Sequence, residues 1–150
     1  MNVNRKILAS SIALAAASLA PLAAQAAQAA VSDDKIVIGY MDDMNGTYSD
    51  LAGPGGLTAI EMAIEDFGGE VNGVPIELIS ADHRNDPAVA SNLAREWMDQ
   101  DSVDMITGLN ASSMAIAVSK LVEQSNKFAM VTTAAADSIT GEHCTPNHVH

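Results

Sequence analysis

Short runs of consecutive apolar residues alternate along this chain with stretches whose apolar positions recur every three or four residues. Ile36-Val37-Ile38-Gly39-Tyr40 is apolar almost throughout, the pattern of a strand covered on both faces. Residues 76–81, 103–107 and 128–131 read as three more strands. After the first strand and a loop rich in Gly and Pro, Leu57, Ile60, Ala63, Ile64 and Phe67 recur at helical spacing until Gly68-Gly69 stops the helix. Asn72-Gly73 then makes a turn. A second helix begins at Asp86-Pro87, a cap followed by proline at the first helical position, and its inward face is Val89, Ala90, Leu93, Ala94, Trp97 and Met98. A third runs from about Ser112 to Ser125 and turns Met114, Ala115, Val118, Leu121 and Val122 inward.

Strands with little alternation, separated by helices, predict an α/β fold: a doubly wound parallel sheet with helices on both faces. Ligands of such sheets sit beyond the carboxyl ends of the strands, where the strand order reverses. That rule selects three loops, residues 42–56, 108–113 and 132–138.

The first 30 residues stand apart from this pattern. Arg5 and Lys6 precede an apolar run over residues 7–24, Pro21 breaks it, and Ala24-Gln25-Ala26 and Ala27-Gln28-Ala29 have the spacing of a cleavage site. Residues 1–30 are therefore expected to be a secretory signal peptide. A membrane anchor calls for about 20 strongly apolar residues, and Ala is weakly apolar. No Cys ends the run, so nothing supports a lipid anchor. Residues 31–150 hold five basic residues (Lys35, Arg84, Arg95, Lys120, Lys127) against all 19 acidic ones, hence a balance of −14. That sign opposes binding to nucleic acid or anionic lipid. Cys144 is the single cysteine. The chain stops at Pro146-Asn147-His148-Val149-His150 with no terminating helix pattern, so a longer protein, with any disulfide partner downstream, is expected.

Each loop offers its own chemistry. Asp42 and Asp43 at the end of the first strand could suggest acid/base or Mg²⁺ work, but are expected simply to be acidic residues that solvate the loop. The glycines that follow lack the G-K-[ST] of a phosphate cradle and lie a dozen residues from the strand. Gly108-Leu109-Asn110-Ala111-Ser112-Ser113 opens directly into the third helix. Its serines either cap that helix or flank free amides that bind an anion with help from the helix dipole. Thr132-Thr133-Ala134-Ala135-Ala136-Asp137-Ser138 has small side chains that let a ligand reach the backbone, and is equally readable as a loop in which Asp137 or Ser138 caps a short helix. No catalytic motif is present: neither G-x-S-x-G nor H-E-x-x-H occurs. His143, Cys144, His148 and His150 crowd the C-terminus without a standard zinc spacing. His83 reads as a loop residue, and Met44, Met62, Met98, Met105 and Met114 as packing. No metal and no cofactor are expected.

With these loops in view, the sequence resembles the branched-chain amino-acid-type periplasmic binding proteins, the type I solute-binding fold of the Leu/Ile/Val-binding family. The similarity covers residues 31–150. It is carried by Gly46-Thr47-Tyr48-Ser49-Asp50-Leu51-Ala52-Gly53-Pro54-Gly55, by Glu61-Met62-Ala63-Ile64-Glu65-Asp66-Phe67-Gly68-Gly69, by Ser80-Ala81-Asp82-His83-Arg84-Asn85-Asp86-Pro87 and by Cys144-Thr145-Pro146-Asn147. The resemblance implies that residues 31–150 are the N-terminal lobe of a two-lobed, hinged protein whose second lobe is missing from this sequence. It implies a periplasmic location, delivery of a small solute to an ABC permease, no reaction on that solute, and a monomer when complete. The implied ligand contacts are Asn110, Ala111, Ser112 and Ser113 around the ligand carboxylate, Thr133, Ala134 and Ala135 on the opposite side of the head group, and Tyr48 at the border. Amino-acid-binding members carry Thr or Ser two positions beyond Thr133, where this chain has Ala135. The Ser-Ala-Asp-His wording is closer to branches that take aromatic carboxylates. Branched-chain amino acids and aromatic acids both remain open as solutes. A sensory receptor domain of the same fold and an α/β hydrolase or amidase are the alternatives.

Overall fold

The computed structural model describes residues 34–150; the signal peptide expected over residues 1–30 lies outside them, as do the next three residues. The described residues fall in one compact unit. Its elements are β1 (Ile36–Asp42), α1 (Gly53–Phe67), β2 (Glu70–Val71), β3 (Val74–Asp82), α2 (Pro87–Asp99), β4 (Met105–Gly108), α3 (Ser112–Gln124), β5 (Phe128–Val131), a single 3-10 turn (Asp137–Ile139) and β6 (His148–Val149). The sheet order is β2-β3-β1-β4-β5-β6. All pairings are parallel except β2 with β3. That exception is a hairpin in which Asn72 and Gly73 both take positive φ, as a two-residue primed turn requires.

Right-handed crossovers carry the chain from β1 through α1 on one face, and from β3 and β4 through α2 and α3 on the other. The core lies mainly on the second face. Val37, Met41 and Ile106 of the sheet meet Ala90, Ala94 and Trp97 of α2 and Met114, Ala115, Val118 and Val122 of α3, all buried. α2 starts as its sequence predicts: Asp86 Oδ1 accepts from the amides of Ala88 (2.7 Å) and Val89 (3.3 Å), with Pro87 in the first turn.

α1 departs from expectation. It begins at Gly53, four residues before its first expected apolar position, because Pro54 sits in the first turn, where a missing N–H costs nothing. Its apolar stripe is only half covered: Leu57, Ile60 and Ile64 are half-buried, Ala63 is exposed, and Met62 and Phe67 keep 59% and 66% of their surface. Met62 is thus not a packing residue within the described chain.

Candidate functional site

The strands end level with one another. Asp42 pairs with Asp82, Met41 with Gly108, and Gly108 with Val131. The chain leaves β1 and β4 toward opposite faces, so a crevice opens between the carboxyl ends of these neighbours. Gly108 (φ 95°) and Leu109 (φ 59°) are both left-handed. At Gly108 a Cβ would stand 2.8 Å from the Met41 carbonyl oxygen, so glycine is what lets the loop turn this close to β1.

Asp42 organises the crevice. It is fully buried and accepts from the Tyr40 hydroxyl (2.6 Å) and the amides of Gly53 (3.0 Å) and Asn110 (2.7 Å). Asp43, also fully buried, accepts from the amides of Gly46 (2.8 Å) and Tyr48 (2.9 Å). The expectation that this pair solvates its loop is therefore overturned, because five converging donors replace the water each carboxylate gives up. Burial, reinforced by the neighbouring Asp42 carboxylate, pushes the Tyr40 phenol well above its usual range and keeps it a donor. At Gly56 a Cβ would come 2.2 Å from the Tyr40 hydroxyl, so this glycine makes room for the Tyr40–Asp42 bond.

Asn110 links the first loop to the second. Its Oδ1 accepts from the Asp43 amide (3.3 Å) and its Nδ2 donates to the Tyr48 carbonyl (3.1 Å). Its side chain thus acts first as a strut. At the end of β3, partial burial works against ionisation of Asp82, yet donation from Arg84, Asn45 and Met44 holds its carboxyl below the usual range.

Around these struts lies a cleft of about 450 Å³. Tyr48 reaches it from the first loop, Asn110, Ala111, Ser112 and Ser113 from the second, and Thr133 and Ala135 from the third. Ala134 does not line it; that residue is buried, and its carbonyl meets the His150 ring. Leu51 and Asn85 join the lining although neither is among the ligand contacts expected from the sequence. Leu51, 63% exposed, lies in a loop without helical or strand periodicity, and Asn85 belongs to a turn after β3 whose nearness to α3 only the strand order creates.

The serines do not cap α3. Ala111 takes the cap position in extended backbone (φ −125°, ψ 135°) with no side-chain cap. Among the described residues, nothing accepts from the amides of Ser112 and Ser113, while those of Met114 and Ala115 return to the Ala111 carbonyl. Ser112 Oγ instead accepts from the Ala136 amide (3.2 Å), fastening the third loop to the start of the helix. Neither Asp137 nor Ser138 caps the 3-10 turn, whose cap position is held by Ala136. The Thr133 hydroxyl has no partner among the described residues. No Lys or Arg lines the cleft. An anion entering here meets two free amides at the positive end of a 13-residue helix.

The C-terminal histidines do other work. His148, largely buried, uses Nδ1 toward Thr145 Oγ1 (3.0 Å) and Nε2 toward the Ile139 carbonyl (3.1 Å). Among the described residues no three His, Cys, Asp or Glu side chains gather as a metal site.

Known proteins share this fold. Leu/Ile/Val-binding protein homolog 6 of Brucella abortus is 30% identical over 85% of this chain and 32% of its own length. A periplasmic binding protein from Burkholderia mallei superposes with a TM-score of 0.76 at 44% identity, over 78% of this chain and 31% of that one. A solute-binding protein of an ABC transporter from Rhodopseudomonas palustris, solved with 3,4-dihydroxybenzoic acid, does so with a TM-score of 0.72 at 29% identity, over 78% and 31%. The chain thus spans about a third of the length of the relatives it matches. The family described as periplasmic binding protein matches residues 35–150, the whole of β1 to β6 with the crevice between β1 and β4. On that match and that fold, the chain belongs to the periplasmic binding protein family.

Proposed function

We propose that this chain is the N-terminal lobe of an exported solute-binding protein that captures a small carboxylate-bearing molecule and delivers it to an ABC permease, without reacting on it. The observation that carries this reading is the pair of unpartnered amides at Ser112 and Ser113, opening into a cleft with no basic side chain. Dipoles aimed from a helix end suit a carboxylate, and the exposed faces of Tyr48 and Leu51 suit an apolar body beside it. Export rests on the signal peptide expected over residues 1–30, and the permease on family membership.

Two solute classes fit unequally. By the family resemblance, Ala135 stands where amino-acid-binding members carry a hydroxyl that helps hold the ammonium, and the lining contains no Asp or Glu. This wall therefore favours an aromatic acid over a branched-chain amino acid. A thermal-shift panel on the complete protein, with L-leucine, L-valine, benzoate and 3,4-dihydroxybenzoate, separates the two, because a ligand that binds the folded state raises the melting temperature.

The amide contribution can be isolated. Ser112→Ala removes the hydroxyl and keeps the N–H; Ser112→Pro removes both, at a first-turn position that tolerates proline after an extended residue. Hydrogen bonds to a charged group are worth about 1.5–3 kcal/mol, so the proline variant is expected to bind the panel's hit about tenfold or more weakly than the alanine variant. Equal affinity of the two variants, by calorimetry, would remove the amides from the account.

A further inference from the structure

The turn that brings Asn85 to the cleft is held in an uncommon backbone state. Arg84 and Asn85 are both left-handed, each with φ 53°, and neither is glycine. Two such residues in succession persist only where their surroundings hold them. Three consecutive amides are anchored: Arg84 N–H donates to Asp82 Oδ1 (2.8 Å), Asn85 N–H to His83 Nδ1 (3.0 Å), and Asp86 N–H to the His83 carbonyl (2.9 Å). The middle bond fixes the tautomer of His83. Nδ1 accepts, so Nε2 carries the proton. The ring is fully buried, and Nε2 has no hydrogen-bond partner; Asp42 Oδ1 lies 4.0 Å away.

We propose that His83 is a positioning residue for the cleft: its bare Nδ1 holds the Asn85 amide, and a proton gained at Nδ1 releases the turn and weakens capture of the solute. The proposal rests on the carboxylate-binding reading of the cleft. A protonated Nδ1 presents a hydrogen where the Asn85 N–H already points, and two donors cannot share that space. With one of its three anchors gone, the left-handed pair loses its hold, and Asn85 leaves the wall.

The groups that set this ring's charge come from each neighbouring strand end. Asp42 and Asp43 stand at the end of β1, Asp82 at the end of β3, and the uncharged Asn110 follows β4. Asp86, at the head of α2, spends its Oδ1 on the amides of Ala88 and Val89. Burial lowers the His83 pKa from 6.5 and outweighs the three carboxylates and the Asn110 side chain, which pull it upward. The folded ring is therefore neutral where an unfolded one already gains its proton. Its contribution to stability is complete above 6.5 and is lost as the pH falls from there toward the lower folded value.

The test uses the full-length protein labelled with ¹⁵N, with L-leucine and 3,4-dihydroxybenzoate as probes. In the absence of probe, the His83 ring is expected as the Nε2–H tautomer, and the Asn85 amide resonance is expected to shift on acidification with the ring's own midpoint. Probe affinity is expected to fall about tenfold between about pH 7.5 and the acid side of that midpoint. His83→Asn places an amide oxygen where Nδ1 stands and cannot be protonated; its affinity is expected to stay level across the same range. His83→Ala, lacking the acceptor, is expected to bind weakly at every pH. An acid loss in His83→Asn equal to that of the wild type, or an Asn85 amide that ignores the ring's titration, overturns the proposal. If neither probe binds the wild type at neutral pH, the carboxylate reading fails, while the probe-free titration still decides the His83–Asn85 coupling.

Discussion

Asp42 and Asp43 are adjacent in sequence, yet each carboxylate serves a different part of the site. Asp42 draws together β1, the start of α1 and the loop after β4; Asp43 closes the loop that carries Tyr48. Their burial was not legible in the sequence. The donors to Asp42 lie as far as 68 residues away, and no local pattern announces such partners. His83 is the loop residue its sequence predicts, but its burial is hidden for the same reason, since an Asp-His-Arg turn reads as surface until the strand order encloses it. Asp42→Asn keeps the shape and puts an NH₂ group among three donors. Leaving a buried donor unsatisfied costs on the order of 1–3 kcal/mol, so the variant is expected to lose about 3 kcal/mol in urea unfolding and to bind the solute weakly. Unchanged stability would show that Asp42 does not organise the crevice.

Secondary structure was more legible where the pattern was long. The four expected strands and three helices are all present: each helix spans enough residues for its period to show, and each strand is a short apolar run between loops. β2 and β6 have two residues each, too few for any period, and they pair only because a turn or a neighbouring strand presents an edge. α1 ends where Gly68-Gly69 predict, but its start is hidden because its Gly-Pro-Gly-Gly opening looks like a breaker, and its outward Phe67 follows from lying mainly over β3 rather than over the core. The Asp86-Pro87 start of α2 was readable because capping is a local event. Asp86→Ala removes the acceptor for two first-turn amides and is expected to cost about 1 kcal/mol, seen as a lower melting temperature, with Asp86→Asn restoring most of it.

The doubly wound class, though not the strand order itself, could be derived from crossover handedness and from strands with little alternation, and with it the place of the cleft. Which side chains line that cleft could be anticipated only on the loops that leave β1, β4 and β5; Asn85, arriving from the end of β3, needed the sheet itself. At this scale charge enters as well. The chain carries 19 acidic residues against 7 basic ones, and the cleft holds its anion, on the reading proposed above, with peptide dipoles. Such dipoles carry no net charge, so dissolved ions barely dilute their grip once water is excluded. The surrounding negative field is different, because it acts over distances that salt shortens to about 8 Å at 0.15 M. Capture should therefore be divided in time. In stopped-flow measurements on the complete protein, added salt is expected to quicken the arrival of an anionic solute and leave its departure unchanged, the reverse of what a lysine-lined pocket would do.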